Sequence, residues 1–181
     1  VLAGAVRLNH SSPFAEELRR VLDDEVPDGS RLYPRDAEVL AANAADFERR
    51  VNECNGNGRA AAEFLHDHPA VAQVWYPSLV DRGEYEALQH QGAGYGGLMS
   101  FTLKVPERTP ELYKAMRFSK GPSLGTDYSL LCPYTLLAHY TEIPWANECG
   151  VATELLRLSV GREPVEDLLT RLDEALAMVG K

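Results

Sequence analysis

An arginine stands in the middle of an otherwise apolar run, Leu155-Leu156-Arg157-Leu158-Ser159-Val160-Gly161. Strand side chains alternate between faces, so Leu156, Leu158 and Val160 share one face and Arg157 and Ser159 share the other. A guanidinium keeps its charge at any ordinary pH and is costly to bury without a partner. Its planar fork suits a carboxylate, supplied either by the protein itself or by a substrate.

Other groupings could also carry chemistry, and each has a plainer reading. Gly92-Ala93-Gly94-Tyr95-Gly96-Gly97 contains the GxGxxG spacing. A phosphate cradle requires a strand before the glycines and a helix after them. Here a short polar helix precedes and the apolar Leu98-Met99-Ser100-Phe101 strand follows, so a structural turn is expected. His66-Asp67-His68 resembles a metal clamp, but residues i and i+2 point to different helix faces. At a helix C-terminus, histidine complements the partial negative charge. His139 lies near Ser129 and Cys132 in sequence without an evident nucleophile partner, which favours a structural histidine. Glu16, Glu17, Arg19 and Arg20 read as a solvated face.

The composition bounds the rest. The chain has 181 residues, 45% of them hydrophobic, and a net charge of −9. That is enough apolar content for a sizeable core and the wrong charge for nucleic acid, whose binders present a basic face. No stretch has the length of a membrane span. Cys54, Cys132 and Cys149 form no metal or disulfide spacing and read as reduced thiols, which fits a cytoplasmic location.

The elements that must position Arg157 follow an alternating α/β order. Leu2 to Leu8 reads as a strand that begins abruptly, so the first residue looks like a cut. Ser12 is expected as the N-cap of a helix running to about Asp24, with Pro13 in its first turn. A loop covers Val26 to Ser30. A long helical pattern follows from Pro34 to Asp67, carried by Ala37, Leu40, Ala44, Phe47, Val51, Ala60, Phe64 and Leu65. Asn55-Gly56-Asn57-Gly58 interrupts it, and two helical glycines cost about 1 kcal/mol each against alanine, so a break is expected there.

Strands are then expected at Val71 to Pro77 and Leu98 to Val105, with helices at Arg82 to Gln91 and Pro110 to Phe118. An extended segment runs from Leu124 to Cys132, and a helical turn from Pro144 to Glu148 is closed by Gly150. The Arg157 strand and a last helix complete the order. That helix carries an apolar stripe of Val165, Leu168, Leu169, Leu172, Ala175, Leu176 and Val179.

Four motifs then stand in order: Val74-Trp75-Tyr76-Pro77-Ser78-Leu79, Gly92 to Phe101, Ser123-Leu124-Gly125, and Arg157-Leu158-Ser159-Val160-Gly161-Arg162-Glu163. Each is modest alone, but the ordered set over nearly the whole chain resembles the C-terminal part of the cystathionine γ-synthase family, the trans-sulfuration enzymes that use pyridoxal phosphate. Gly121-Pro122-Ser123-Leu124-Gly125-Thr126, Pro133-Tyr134-Thr135 and Ala138-His139-Tyr140 resemble the fungal-type branch most.

The resemblance implies an α/β fold, the α+β C-terminal domain of an aspartate aminotransferase-type enzyme, with a small sheet covered by helices and preceded by a long connecting helix. It implies that residues 1–33 end the large cofactor domain, 34–68 connect, and 69–181 form the small domain. It also implies that Arg157 binds the α-carboxylate of an amino-acid substrate, with Ser129 and Tyr128 lining the same site. Tyr128-Ser129-Leu130 departs from the Glu-Ser-Leu of many members, which leaves the second substrate open.

The Ser-x-Thr-Lys motif that carries the cofactor is absent from this chain. Lys104, Lys114, Lys120 and Lys181 have other contexts, so the chain alone is expected to be inactive and to bind no pyridoxal phosphate. The expected parent is a cytoplasmic homotetramer in which this segment meets the upstream domain and neighbouring subunits. It would make cystathionine from an O-acylhomoserine and cysteine. A γ-lyase or sulfhydrylase of the same family, or a non-catalytic subunit, are the alternatives.

Overall fold

The computed structural model describes residues 3–26 and 32–180. The chain divides into two units, residues 1–47 and 48–181.

The first unit holds two helices, α1 (Ala15–Glu25) and α2 (Pro34–Ala44). Pro34 takes the first position of α2, where a missing N–H costs nothing. The helix expected from Ser12 begins later. Ser12 Oγ accepts from the Phe14 N–H at 3.3 Å and so closes a local turn ahead of α1. Residues 3–8 carry no strand. This corrects the expectation for Leu2 to Leu8, of which Leu2 lies outside the described residues. A strand exists only by pairing, and among the described residues no ladder includes this segment. The loop expected over Val26 to Ser30 lies mostly outside the described residues.

The long helical pattern is two helices, and its break is not at the glycines. α2 ends at Ala44, and α3 runs unbroken from Phe47–Asp67 through Asn55-Gly56-Asn57-Gly58. Tertiary packing outweighs the low helix propensity of glycine here. Ala61, Ala62 and Leu65 on α3 are fully buried in the second unit's core.

That core lies against one face of a five-stranded sheet. The strands are β1 (Val71–Trp75), β2 (Leu98–Leu103), β3 (Ser119–Lys120), β4 (Leu130–Pro133) and β5 (Leu156–Ser159). Their order is β1-β2-β5-β4-β3. All neighbours are antiparallel except β3 and β4, which are parallel. Of the extended segment expected from Leu124 to Cys132, only the end forms β4. The connecting helices are α4 (Arg82–Leu88), α5 (Thr109–Ala115), α6 (Tyr134–Ala138) and α7 (Ile143–Glu148).

Alternation sorts the sheet. Met99, Phe101, Leu103, Leu131, Leu156, Leu158 and Val160 join the core cluster. The last helix, α8 (Val165–Val179), covers them with Leu168, Leu172, Ala175, Leu176 and Val179. This is the stripe expected from its period. Burying apolar side chains on both sides of that seam is the main stabilising term, roughly 1.5–3 kcal/mol for each large side chain removed from water. β5 is the middle strand of five, so Arg157 is held by ladders on both sides. Ser100 of β2 and Cys132 of β4 are its direct partners.

Candidate functional site

Arg157 and Ser159 lie on the face of β5 opposite the core, as alternation requires. The 121–129 loop runs over that face. Arg157 Nη2 donates to the carbonyl of Pro122 and, at 3.4 Å, to that of Ser123. Ser159 Oγ accepts from the Gly125 N–H at 3.2 Å. The ring of Tyr134 faces the guanidinium, with Cζ 5.6 Å from its centroid. Arg157 Nε is buried without a hydrogen-bond partner.

The charge balance at this point is informative. Carbonyl dipoles and an aromatic face orient a guanidinium but leave its charge uncompensated. Among the described residues, no carboxylate pairs with Arg157. The neighbouring Cys132 thiol supplies no anion either. Burial pushes its pKa up, against the pull of Arg157. A buried donor left without a partner costs about 1–3 kcal/mol. An oriented guanidinium with spare donors is chemically fitted to accept a carboxylate.

Ser129 is placed differently from its neighbour in sequence. Its N–H donates to Glu163 Oε1 at 2.6 Å and its hydroxyl to Glu163 Oε2 at 2.9 Å. Its Oγ also accepts from the Gly161 N–H at 3.0 Å. Donor and acceptor are both satisfied within the chain, so Ser129 acts on the loop. Tyr128, just before it, leaves 53% of its surface exposed. Its carbonyl accepts from Thr126 Oγ1 at 2.6 Å.

Sequence reasoning missed Pro122, Ser123 and Tyr134 as neighbours of Arg157. The first two act through backbone carbonyls, which leave no side-chain signature. Tyr134 is the first residue of α6, directly after β4, where strand alternation no longer applies, although its N–H still donates to Leu155 O at 3.0 Å.

The remaining candidates make hydrogen bonds and ring contacts within the chain. The glycine turn is tied to α3 and to the residue that follows β1: Gly96 N–H donates to Asn55 Oδ1 at 2.8 Å, and Tyr76 Oη donates to Gly96 O at 2.8 Å. Burial pushes the Tyr76 hydroxyl up to about 12, so it stays a donor. His68 Nδ1 accepts from the Ala70 N–H at 3.2 Å. Among the described residues, no group of three His, Cys, Asp or Glu could hold a metal. His139 pairs with Glu142 at 2.8 Å and packs edge-on against Tyr134 at 5.7 Å between ring centroids.

The segment after β5 is anchored by charge. Arg162 pairs with Glu53 of α3 and, at 3.3 Å, with Asp127. The Arg162 guanidinium holds the Glu53 carboxyl below its ordinary value of 4.5. A carboxyl with a lowered folded pKa contributes stability that is complete above its unfolded value and lost as pH falls through the folded one. Glu86 and Glu111 are lowered in the same direction, chiefly by Tyr95 and Arg108. Melting of the chain followed by circular dichroism should therefore shift downward as pH is lowered from about 6 to about 3, and less steeply in Glu53→Gln. An identical pH slope in the variant would remove Glu53 from the account.

Known proteins resemble this chain in sequence and in structure. The model of the Cys/Met metabolism PLP-dependent enzymes matches residues 1–177. The chain is 37% identical to a cystathionine gamma-synthase of Neurospora crassa over 177 residues, covering 97% of this chain and 28% of the relative. In structure it is similar to a cystathionine gamma synthase from Xanthomonas oryzae pv. oryzae in complex with aminoacrylate and cysteine. The TM-score there is 0.73 at 30% identity, covering 84% of this chain and 40% of that one. It is also similar to a cystathionine gamma-lyase from Lactobacillus plantarum complexed with L-serine, with a TM-score of 0.76 at 26% identity, covering 93% of this chain and 44% of that one. The chain thus spans about a third of the length of such curated relatives.

Proposed function

Because the chain belongs to the family of Cys/Met metabolism PLP-dependent enzymes, we propose that it is the C-terminal segment of an enzyme making cystathionine from an O-acylhomoserine and cysteine. The observation that carries its part in the reaction is Arg157, an oriented guanidinium with no carboxylate partner among the described residues. Its role is to take the α-carboxylate of the amino-acid substrate through its fork. Tyr134 stacks beneath it, Pro122 and Ser123 set its angle, Tyr128 lines the approach, and Ser129 holds the loop. Fixing the carboxylate fixes the orientation of the substrate's carbon chain, which is how binding far from the reacting atoms contributes to rate.

In this reading, residues 1–33 close the large domain, 34–68 connect, and 69–181 form the small one. The upstream domain and neighbouring subunits of a cytoplasmic homotetramer complete the site.

The residues present do not fit the cofactor-carrying role. Lys120 Nζ donates to the carbonyls of Tyr113 and Met116 at 2.6 and 2.7 Å, closing the end of α5. Lys104 and Lys114 are exposed, and Lys181 lies outside the described residues. No step through the cofactor is therefore assigned to this chain, and alone it is proposed to be inactive.

A γ-lyase eliminates without joining a second substrate, and a sulfhydrylase differs in that substrate. Similarity to the Lactobacillus plantarum cystathionine gamma-lyase keeps the first of these in view. The test supplies the full-length enzyme with an O-acylhomoserine and either cysteine, sulfide or water. Cystathionine should form fastest, and the 181-residue chain with added pyridoxal phosphate should form none. Faster turnover with sulfide or water would reassign the reaction. Product from the chain alone would overturn its assignment as an inactive segment.

A further inference from the structure

Glu163 makes no ion pair among the described residues. Both of its carboxylate oxygens are instead spent on one residue, Ser129, through the backbone N–H at 2.6 Å and the hydroxyl at 2.9 Å. Charge-assisted hydrogen bonds are short and strong, so the two together fix Ser129 firmly in place. We propose that Glu163 is a positioning residue for Arg157, acting through Ser129 and the 121–129 loop. The inference rests on the reading of Arg157 as the carboxylate clamp.

The topology shows how the coupling runs. β4 and β5 are antiparallel, with Leu130 opposite Ser159. The chain entering β4 at Ser129 and the chain leaving β5 at Val160 therefore lie at the same end of the sheet. Ser129 Oγ accepts from the Gly161 N–H at 3.0 Å and closes a ring between the two segments.

The far side is anchored to α3: Asn57 Nδ2 donates to the carbonyls of Gly161 and Glu163 at 3.0 and 2.8 Å. Gly161 allows the approach, because a Cβ there would stand 2.5 Å from the Tyr128 backbone. The loop is fastened at three further points. Arg162 N–H donates to Asp127 O at 2.8 Å, Gly125 N–H donates to Ser159 Oγ at 3.2 Å, and the Pro122 and Ser123 carbonyls accept from Arg157 itself.

Glu163 thus fixes the exit of a loop whose entrance orients the guanidinium. Removing its carboxylate frees Ser129 and lets the Pro122 and Ser123 carbonyls leave their alignment. Arg157 keeps its charge but loses its fixed plane, so the substrate carboxylate meets a mobile fork. Glu163→Gln keeps one acceptor for the Ser129 N–H, and Ser129 Oγ can accept from the new amide, so this variant retains most of the alignment.

The test is a double-mutant cycle in the full-length enzyme. Glu163→Ala should raise KM for the O-acylhomoserine about tenfold, with a smaller change in kcat, and Glu163→Gln should recover most of it. In an Arg157→Ala background, Glu163→Ala should add less than about twofold, because the group it positions is gone. Equal effects in the two backgrounds, or an unchanged KM in a folded Glu163→Ala enzyme, would overturn the inference. If Glu163→Ala does not fold, Ser129→Ala carries the same test by removing only the hydroxyl, with the same non-additivity expected. Arg157→Ala alone separates the two readings. An impaired Arg157→Ala beside a normal Glu163→Ala refutes the positioning role only. A normal Arg157→Ala refutes the clamp, and the positioning role with it.

Discussion

Replacing Arg157 by alanine in the full-length enzyme should lower kcat/KM by about a hundredfold to ten-thousandfold, while the folded protein melts near its normal temperature. Charge-assisted hydrogen bonds contribute roughly 1.5–3 kcal/mol each, and a fork makes two of them. Together they amount to about 3–6 kcal/mol, which at about 1.4 kcal/mol per decade is roughly two to four decades. Arg157→Lys should recover only part, because an ammonium cannot reproduce two parallel bonds.

Stability separates this outcome from the other use of a strand arginine, an internal ion pair. Breaking a buried pair leaves an uncompensated carboxylate and costs about 3–5 kcal/mol. Arg157 instead bonds to the carbonyls of Pro122 and Ser123, which lose little when the side chain leaves. Kinetics and melting temperature measured together on the same variants decide the matter. Unaltered kinetics in a stable Arg157→Ala enzyme would end the clamp assignment, and a large stability loss would support an ion pair formed in the assembled enzyme.

The second large effect is expected at Gly58, with the opposite sign two residues away. Both Gly56 and Gly58 lie inside α3, where alanine is favoured over glycine by about 1 kcal/mol. Gly56 is exposed and a Cβ there meets nothing within 4 Å, so Gly56→Ala should stabilise the chain by up to about 1 kcal/mol. Gly58 is buried against the glycine turn. A Cβ there would stand well inside contact distance of the Gly96 carbonyl oxygen and 3.0 Å from Gly97 Cα.

Backbone cannot swing aside as the tip of a side chain can. The clash should displace the turn from α3 and strain the Asn55–Gly96 and Tyr76–Gly96 bonds. Overpacking of this kind costs typically 1–3 kcal/mol or more, which exceeds the gain in helix propensity. Urea unfolding of the two variants beside the unsubstituted chain should move the midpoints in opposite directions. Stabilisation by both would show that α3 does not lie this close to the turn.

This pair of glycines also marks where sequence reasoning stopped. Local energetics alone place a break at Asn55-Gly56-Asn57-Gly58, because a helix in isolation loses stability at each glycine. Three of the same four residues, Asn55, Asn57 and Gly58, form the strip on which α3 meets the glycine turn and the end of β5. Asn55 reaches Gly96, Asn57 reaches Gly161 and Glu163, and Gly58 removes the side chain that would keep the surfaces apart. The gain comes from partners some 40 to 106 residues away along the chain, and no local pattern carries it. The strand expected at Leu2 to Leu8 shows the converse error: apolar composition can suggest a strand, but only a paired neighbour makes one.

The sequence by itself determined the α/β order, the apolar face of β5, the stripe of α8, and the placing of Arg157 opposite the core. Each follows from a period of two or 3.6 residues, which is a property of neighbouring positions in one chain. The ordered motifs likewise carried the family. The tertiary structure alone decided what surrounds Arg157 and what occupies Ser129. Ser129 lies beside Tyr128 in sequence, yet its hydroxyl is taken by Glu163 and Gly161, and the carbonyls that meet the guanidinium come from Pro122 and Ser123. Hydrogen bonds to backbone groups and antiparallel register between distant strands depend on how the chain returns to itself. That return is set by the packed core as a whole and is not encoded at any one of the positions it brings together.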